Sequence, residues 1–368
     1  MNRNTKKIFV AMSGGVDSSV TALLLKQQGY DIVGCFIKGW YPKGFYCNWK
    51  EDRRDAMRVC AKLGIPFITI NAEKEYKKYV VDYMIREFKT GRTPNPDVMC
   101  NKNIKFGIFL KKALKMGADY IATGHYVKIS NLKSQISNLF QARDKNKDQS
   151  YFLWALNQDQ LKYCIFPIGE LLKPQVKEIA RENNLHTAEK RESMGICFIG
   201  EFDIKEFLKK YIKFKKGKII DQNGKIIDEH DGVMFYTIGQ RHGFGGGGGV
   251  PYYIVEKDIK KNLLIISNKA DEEKFYKKEV EIEQVNWISG NSPACLDTRC
   301  PSGHRVSFKA RIRYRQPLQS CHLEALLLSG SKASKLKVVF TKPQRAVTPG
   351  QSLVIYDGQK MLGGGIIK

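Results

Sequence analysis

The sequence predicts an α/β fold: a doubly wound parallel sheet, followed by a small central β-rich domain and a C-terminal β-barrel. Between residues 8 and 123, short apolar runs alternate with amphipathic stretches of helical spacing, which is typical of a parallel sheet with helices on both faces. A glycine-rich turn joins the first run to the first helix. Beyond residue 219 only short strands and turn signals recur, and these favour small β domains.

The individual elements follow from apolar spacing and from helix-ending glycines. Strands are predicted over residues 8–12, 31–37, 66–70 and 120–123. Helices are predicted over residues 18–28, 50–63, 75–89 and 104–116. Residues 129–147 interrupt the alternation and predict a hairpin or surface loop, whereas residues 161–183 return to helical spacing. We divide the chain into domains 1–205, 206–278 and 279–368.

The first turn, from Ser13 to Ser19, predicts a phosphate site. Its glycines let the backbone approach an anion, and the N–H groups at the start of the helix point at the same spot. Asp17 is a candidate ligand for Mg²⁺. No Gly-Lys-Ser/Thr follows, so this is not the Walker loop. The turn resembles the pyrophosphate loop of ATP pyrophosphatases, the adenine nucleotide alpha hydrolase-like fold.

Composition indicates a polyanionic partner. The 368 residues carry a formal charge of +25, and such an excess attracts nucleic acid. No apolar run is long enough to cross a membrane and no signal-peptide core follows Met1, so we expect a cytoplasmic protein without a membrane partner. The nine cysteines are expected to be reduced thiols. No Cys-x-x-Cys pair occurs, so no resident metal site is predicted.

A second informative stretch spans residues 95–102. Pro94 and Pro96 are expected to hold the chain extended, and Asn101 to cap the next helix. Cys100 would then lie near a helix N-terminus, where the dipole favours thiolate, and Asp97 could exchange protons. Taken alone, Cys100 would more often be a buried structural cysteine. Cys197, among glycine and phenylalanine neighbours, would also be assigned to the core if isolated.

Taken together, these stretches resemble bacterial tRNA 2-thiouridylases, the MnmA/TrmU family. The resemblance is carried by residues 13–19, 95–102, 122–126, 147–153 and 195–201. It continues through residues 236–241, 251–253, 286–288, 313–316, 343–351 and 362–367. It therefore covers nearly the whole chain in one order.

The resemblance implies a reaction and a set of site residues. Members use ATP to replace the O2 oxygen of the tRNA wobble uridine with sulfur, through an adenylate and a cysteine persulfide. By resemblance, Cys197 carries the persulfide, Cys100 is the second thiol, and Asn95, Pro96 and Asp97 lie at the target base. The implied ATP site comprises Ala11, Met12, Ser13, Gly14, Gly15, Val16, Asp17, Ser18, Ile37 and Gly124. The implied tRNA contacts are His125, Lys147, Asp148, Gln149, Arg313, Tyr314 and Gln344. The implied partners are tRNAs of the Glu, Gln and Lys type and a cysteine desulfurase or sulfur-relay protein.

Several alternatives stay open at this level. Asp97, Cys100 and Cys197 could instead ligate an iron–sulfur cluster. A ligase that passes the adenylate to an amine would use the same turn but would not need the two cysteines, and a non-catalytic binding protein would not need the turn. If residues 311–315 form a strand, Arg311, Arg313 and Arg315 share one face about 6.8 Å apart and face phosphates. Tyr314 would then point away and pack, and His125 would either stack on a base or fill a polar niche.

Overall fold

The computed structural model describes residues 5–42, 44, 47–130, 136–191, 203–243, 251–268, 273–292, 307–325 and 335–368. Within those ranges no helix has the length and apolar character needed to span a membrane. The described residues form three sheets, of five, four and eight strands.

The N-terminal sheet is parallel throughout and has the order β3-β2-β1-β4-β7. The first seven strands are β1 (Lys7–Ala11), β2 (Asp31–Lys38), β3 (Phe67–Asn71), β4 (Tyr120–Thr123), β5 (Val127–Ile129), β6 (Leu139–Gln141) and β7 (Cys164–Ile165). Phe9 and Cys35 point into one apolar cluster, and Ile8 and Val10 into a second. Because both faces are covered, the strands are nearly continuous apolar runs. The predicted doubly wound sheet is confirmed.

Helices cover both faces of this sheet. They are α1 (Val16–Gln27), α2 (Trp49–Leu63), α3 (Glu73–Tyr76), α4 (Asp82–Lys89), α5 (Pro96–Cys100), α6 (Leu110–Lys115), α7 (Gln158–Leu161) and α8 (Lys173–Glu182). Two π-helical segments, Lys77–Val81 and Asn101–Phe109, make the chain helical from α3 to α4 and from α5 to α6. Gly64 ends α2 with a left-handed φ of 59°, as its sequence position predicts.

The helical prediction over residues 161–183 is wrong in its first half. Strand β7 and a turn separate α7 from α8. Cys164 and Ile165 extend the parallel sheet beside Ile121 and Ala122, so Cys164 is buried and Ile165 is partly buried as strand residues. A two-residue strand is too short to show a period.

The small central domain begins with α9 (Ile204–Lys209). Its mixed four-stranded sheet has the order β10-β11-β8-β9. The strands are β8 (Gly217–Ile220), β9 (Ile226–His230), β10 (Tyr253–Asp258) and β11 (Leu263–Ser267). The predicted β-rich domain is confirmed.

The C-terminal strands close into a six-stranded barrel, because β12 pairs with both β15 and β17. They are β12 (Tyr276–Trp287), β13 (Phe308–Arg311), β14 (Gln319–Ala325), β15 (Leu336–Arg345), β16 (Ser352–Asp357) and β17 (Lys360–Ile367). Val338, Leu353 and Ile355 help to fill its interior. The predicted barrel is therefore confirmed.

The barrel is continuous with the N-terminal domain. Residues 129–147, predicted as a hairpin or loop, contain β6, which pairs with β5 and also with β17 through Met361 and Leu139. Trp154 adds to this contact. Its ring packs so closely on Gly364 of β17 that a Cβ at that position would lie 3.1 Å from the ring. The two domains thus share one sheet and one buried boundary.

Candidate functional site

The turn between β1 and α1 has a tightly constrained backbone. Gly14 has a φ of 78°, and a Cβ there would lie 2.3 Å from the Asp52 carbonyl oxygen. The Ser18 hydroxyl donates to the Gly15 carbonyl at 3.0 Å and accepts from the Ser13 N–H at 3.2 Å. The first-turn N–H groups of α1 have no partners within the helix. They are therefore available to an anion at the carboxyl edge of the sheet.

The end of β4 meets this turn. A Cβ on Gly124 would lie 2.8 Å from the Ser18 nitrogen, so only glycine allows this approach. Because β1 neighbours both β2 and β4, the turn lies where the strand order reverses, the usual ligand position in such sheets. The predicted ATP-binding residues all belong to this edge: Ala11, Met12, Ser13, Gly14, Gly15, Val16, Asp17, Ser18, Ile37 and Gly124. Their contact with ATP stays a prediction.

Asp17 is the acidic group of the turn, and its neighbours include a lysine that the sequence analysis missed. Its Oδ1 lies 2.6 Å from Lys173 Nζ and accepts from the Tyr126 hydroxyl at 2.9 Å. Lys173 begins α8 and is only 7% exposed. A Lys-Pro pair opening a helix was the one available signal, since proline favours the first helical turn. Lys173 adds positive charge beside the phosphate turn.

A cleft of about 480 Å³ opens where the three domains meet, and we call it the interdomain cleft. It is lined by Met84, Phe88, Thr93, Pro94, Asn95, Pro96, Asp97, Tyr151, Phe152, Ile204, Lys205, Phe235, Thr237, Gln240, Tyr314 and Gln351. The predicted target-base residues therefore lie in a pocket of ligand size. The rings of Phe152 and Tyr314 form an aromatic wall, with centroids 4.7 Å apart.

Cys100 lies in α5, at the end of the helical turn that starts from the cleft. The prediction that Asn101 caps the following helix is wrong: α5 already begins at Pro96, and the Asn95 side chain accepts from the Val98 N–H at 3.4 Å. Proline at the first helical position was the stronger signal. Cys100 is fully buried. The buried Asn101 amide instead donates to the Phe152 carbonyl at 3.2 Å, which joins α5 to the aromatic wall.

Cys197 and the rest of residues 195–201 lie outside the described residues, so the relation of Cys197 to Cys100 stays a prediction. Among the residues that the structure does describe, no group of three or more His, Cys, Asp or Glu side chains could hold a metal ion.

The predicted tRNA residues 147–149 lie on the segment leading to the aromatic wall. Gln149 exchanges hydrogen bonds with the backbone of Tyr126 at 2.8 and 2.9 Å. The Asp148 carboxylate is buried and accepts from Arg311 Nη2 at 2.6 Å. Lys147 is half-buried beside them. Contact of these residues with tRNA stays a prediction, and Asp148 faces protein groups in this structure.

The predicted row of three arginines is wrong. Strand β13 ends at Arg311, which is 3% exposed and held by Asp148, Ser150 and Tyr356. Arg315 has a left-handed φ of 62° and donates to the Asn146 carbonyl at 3.1 Å. A strand repeat cannot continue through that conformation, because β residues have negative φ.

The remaining predicted tRNA residues lie on two parts of the barrel. Arg313 and Tyr314 follow the end of β13, and Gln344 lies in β15. Arg313 is exposed and donates to the Arg345 carbonyl at 2.9 Å. Tyr314 packs on Phe152 as expected for a packing residue, yet it also lines the interdomain cleft. Gln344 is buried and accepts from Gln316 at 2.9 Å. Their roles toward tRNA stay predictions.

His125 occupies a polar niche between the end of β4 and the π-helical segment Asn101–Phe109. Its Nδ1 lies 2.7 Å from the Thr123 hydroxyl and its Nε2 lies 3.4 Å from Lys105 Nζ, while Phe106 packs on the ring. Burial, and then the Lys105 charge, hold the pKa of His125 well below its usual value of 6.5. The ring is therefore neutral in the folded protein at pH 7.

This neutral histidine should make the protein sensitive to acid. Below pH 6.5 the unfolded chain binds a proton at His125 that the folded chain does not bind, so stability falls as pH falls. The slope from this one group rises toward about 1.4 kcal/mol per pH unit as the unfolded histidine becomes fully protonated. We expect His125→Gln to remove that part of the slope in urea unfolding between pH 7 and 5. Equal slopes for parent and variant would contradict the buried neutral state.

Comparisons with known proteins agree with this architecture. The chain matches three family models: the tRNA methyl transferase HUP domain over residues 6–201, the tRNA methyl transferase PRC-barrel domain over residues 205–268, and the aminomethyltransferase beta-barrel domain over residues 277–367. Among solved structures, the U34-tRNA thiolase NcsA from Methanococcus maripaludis matches with a TM-score of 0.35 and 17% identity, over 56% of this chain and 64% of that one. That likeness is too weak to carry an argument.

Curated relatives are much closer in sequence. The tRNA-specific 2-thiouridylase MnmA of Francisella tularensis subsp. novicida (strain U112) is 47% identical over 98% of this chain and 99% of the relative. The MnmA of F. tularensis subsp. holarctica (strain FTNF002-00 / FTA) matches with the same identity and coverage. With three consecutive family models and full-length relatives in agreement, the chain belongs to the MnmA family of tRNA-specific 2-thiouridylases.

Proposed function

We propose that this protein uses ATP to replace the O2 oxygen of the tRNA wobble uridine with sulfur, giving 2-thiouridine, AMP and pyrophosphate. The observation that carries the proposal is the connection between the phosphate turn and the helical run that starts at the cleft with α5 and contains Cys100. Gly124 packs against the turn, and the next residue, His125, contacts Lys105 on the helical run that contains Cys100. Residues 124 and 125 thus contact both the proposed ATP site and the helical run of the proposed second thiol, which supports a reaction that needs both.

The first chemical step is adenylation of the uracil O2. This oxygen attacks the α-phosphorus of ATP, and the bond to the bridging oxygen breaks as pyrophosphate leaves. The turn N–H groups and Lys173 stabilise the charge on the departing phosphates. The Asp17 carboxylate, beside these donors, fits a phosphate-bound Mg²⁺, which would polarise the α-phosphate.

The second step replaces the activated oxygen. The terminal sulfur of a Cys197 persulfide attacks C2, and AMP leaves with the oxygen. The Cys100 thiolate then attacks the inner sulfur of that linkage, which forms a Cys100–Cys197 disulfide and leaves C2=S on the base. A dithiol reductant restores both thiols. Asp97 lines the same cleft. Its carboxylate accepts the protons that the persulfide and the Cys100 thiol lose before they attack.

The sulfur source and the RNA are supplied by partners. We propose a cysteine desulfurase or sulfur-relay protein as donor and tRNAs of the Glu, Gln and Lys type as substrates, in the cytoplasm. The division into domains 1–205, 206–278 and 279–368 assigns ATP and thiol chemistry to the first domain. Arg313, Tyr314 and Gln344 of the third domain would contact tRNA.

One assay tests the reaction and its rival chemistry together. Protein purified anaerobically is analysed for iron and labile sulfide, then incubated with ATP, magnesium, unmodified tRNA and a cysteine desulfurase with cysteine. We expect 2-thiouridine with equal amounts of AMP and pyrophosphate, and no dependence on iron. Activity that follows the iron content would favour a cluster on Asp97, Cys100 and Cys197. ATP consumption without thiouridine would contradict the function.

Charge should govern tRNA affinity. The excess of 25 positive charges predicts a steep loss of binding with salt, and Arg313→Ala should reduce the log–log slope by about 0.9, one phosphate contact. Filter binding at several salt concentrations measures this. Arg181→Ala is the matched control, because that guanidinium is already paired with Glu189 at 2.6 Å. A salt-independent affinity would contradict a phosphate interface.

A further inference from the structure

The barrel reaches the interdomain cleft through residues 348–352, which we call the barrel turn. Gln351 donates through Nε2 to the carbonyl oxygens of Thr93 and Pro94, both at 3.0 Å, and its side chain lines the cleft. These two carbonyls immediately precede Asn95, which caps α5. The amide of Gln351 therefore holds the backbone from which the helix of Asp97 and Cys100 starts.

The backbone of the barrel turn also packs closely on Thr93. The Pro349 carbonyl accepts from the Thr93 N–H at 2.9 Å. Gly350 has a φ of 92°, and a Cβ on it would lie 2.8 Å from the Thr93 carbonyl oxygen. The close approach thus requires glycine. Thr93 is also 3.1 Å from the Thr237 hydroxyl of the central domain.

Ser352, the residue after Gln351, contacts the other wall of the cleft through Tyr151. The Ser352 carbonyl accepts from the Tyr151 hydroxyl at 2.9 Å, and its hydroxyl accepts from Trp154 Nε1 at 3.0 Å. Two consecutive residues, Gln351 and Ser352, therefore contact the two walls. One peptide unit of the barrel therefore bridges the two walls, in addition to the direct hydrogen bond from Asn101 to the Phe152 carbonyl.

We infer that Gln351 is a positioning residue of the thiolation reaction: it aligns Asp97 and Cys100 with a base held against the aromatic wall. The inference rests on the proposed function. Gln351 touches no reacting atom, so its contribution is geometric. Displacements of about 1 Å at reacting groups can lower a rate by 100-fold, and both carbonyl contacts are lost together when the amide is removed.

Three substitutions at this position separate geometry from charge. Gln351→Leu removes both donors without adding charge, Gln351→Glu replaces the donor with a carboxylate that repels the carbonyls, and Gln351→Lys keeps a donor. Single-turnover thiolation is measured at saturating unmodified tRNA, with ATP, magnesium and a persulfide-loaded enzyme. We expect the Leu and Glu variants to lose about 10- to 100-fold in rate, while the Lys variant keeps most of the parent rate. Gln319→Glu is the control for added negative charge, since its amide donates to the Pro317 carbonyl and Gln319 is not among the residues that line the cleft.

Two further readouts decide what the position does. Affinity for tRNA by filter binding and persulfide loading of Cys197 should match the parent in the Leu variant. If the Glu and Lys variants shift tRNA affinity in opposite directions at an unchanged saturated rate, the position affects tRNA binding only through the added charge and the inference is wrong. A lower melting temperature with parental rates would also overturn it. Absence of thiouridine from the parent would instead remove the proposed function itself.

Discussion

Asp17→Ala should abolish formation of AMP and pyrophosphate while tRNA affinity stays nearly unchanged. The carboxylate lies at the phosphate turn, 2.6 Å from Lys173 Nζ, whereas Arg313 and Tyr314 lie on the barrel. We expect a loss of at least about 100-fold, as large as that from removing one donor that stabilises transition-state charge, because the phosphate-bound Mg²⁺ would lose its carboxylate ligand. Chromatographic separation of labelled ATP, AMP and pyrophosphate, with filter binding of tRNA, measures both quantities.

Asp17→Asn is the matched variant. It keeps an oxygen that can accept from Tyr126 but removes the charge, so a loss equal to that of alanine would show that the charge itself is needed. A folded Asp17→Ala protein that turns over ATP but no longer binds tRNA would reverse the assignment of the two sites.

The two cysteines should fail at different steps. Cys197→Ser is expected to accept no labelled persulfide sulfur from a cysteine desulfurase and to make no thiouridine. Cys100→Ser should still load label on Cys197 and still form AMP, yet stall before release of product, because cleavage of the persulfide linkage needs a second thiolate. Mass spectrometry of loaded proteins and nucleoside analysis of the tRNA distinguish these outcomes.

Cys321→Ala is the control for both variants. This thiol lies in the barrel core, and burial raises its pKa to about 12, so it should be inert and its removal should leave thiolation unchanged. Label on Cys100 in the Cys197→Ser protein would interchange the two roles. Activity without persulfide on either thiol would exclude the covalent scheme.

Features that depend on neighbouring residues were predictable from sequence. Strand β1, the glycine turn and the ending of α2 at Gly64 each follow from a few consecutive side chains, because buried strands are apolar runs and glycine adopts positive φ. The edge that collects the predicted ATP residues follows from the parallel topology alone.

Features that depend on residues far away in the sequence were not predictable from sequence. Arg311 has the composition of a phosphate contact, but Asp148, 163 positions earlier, takes its guanidinium into the interior. Nothing near Arg311 in the sequence signals that pairing. The interdomain cleft likewise needs three domains to meet, and Gln351 acquires its place only through carbonyls 257 and 258 positions away. The residue types indicated which chemistry is possible, whereas the location of each side chain in the folded protein could be read only from the tertiary structure.

The contact between Gln351 and Thr93 also has a consequence during translation. The 258 positions between them take on the order of 10 to 50 s to synthesise at about 5 to 20 residues per second. In the later part of that interval, once α8 has been made, the nascent N-terminal domain has all the strands of its sheet and its phosphate turn but lacks the barrel residues that contact Tyr151 and Trp154. An emerging chain could thus bind nucleotide well before its cleft is assembled, and ribosome-bound intermediates should expose these aromatic side chains to chaperones until β16 and β17 leave the exit tunnel.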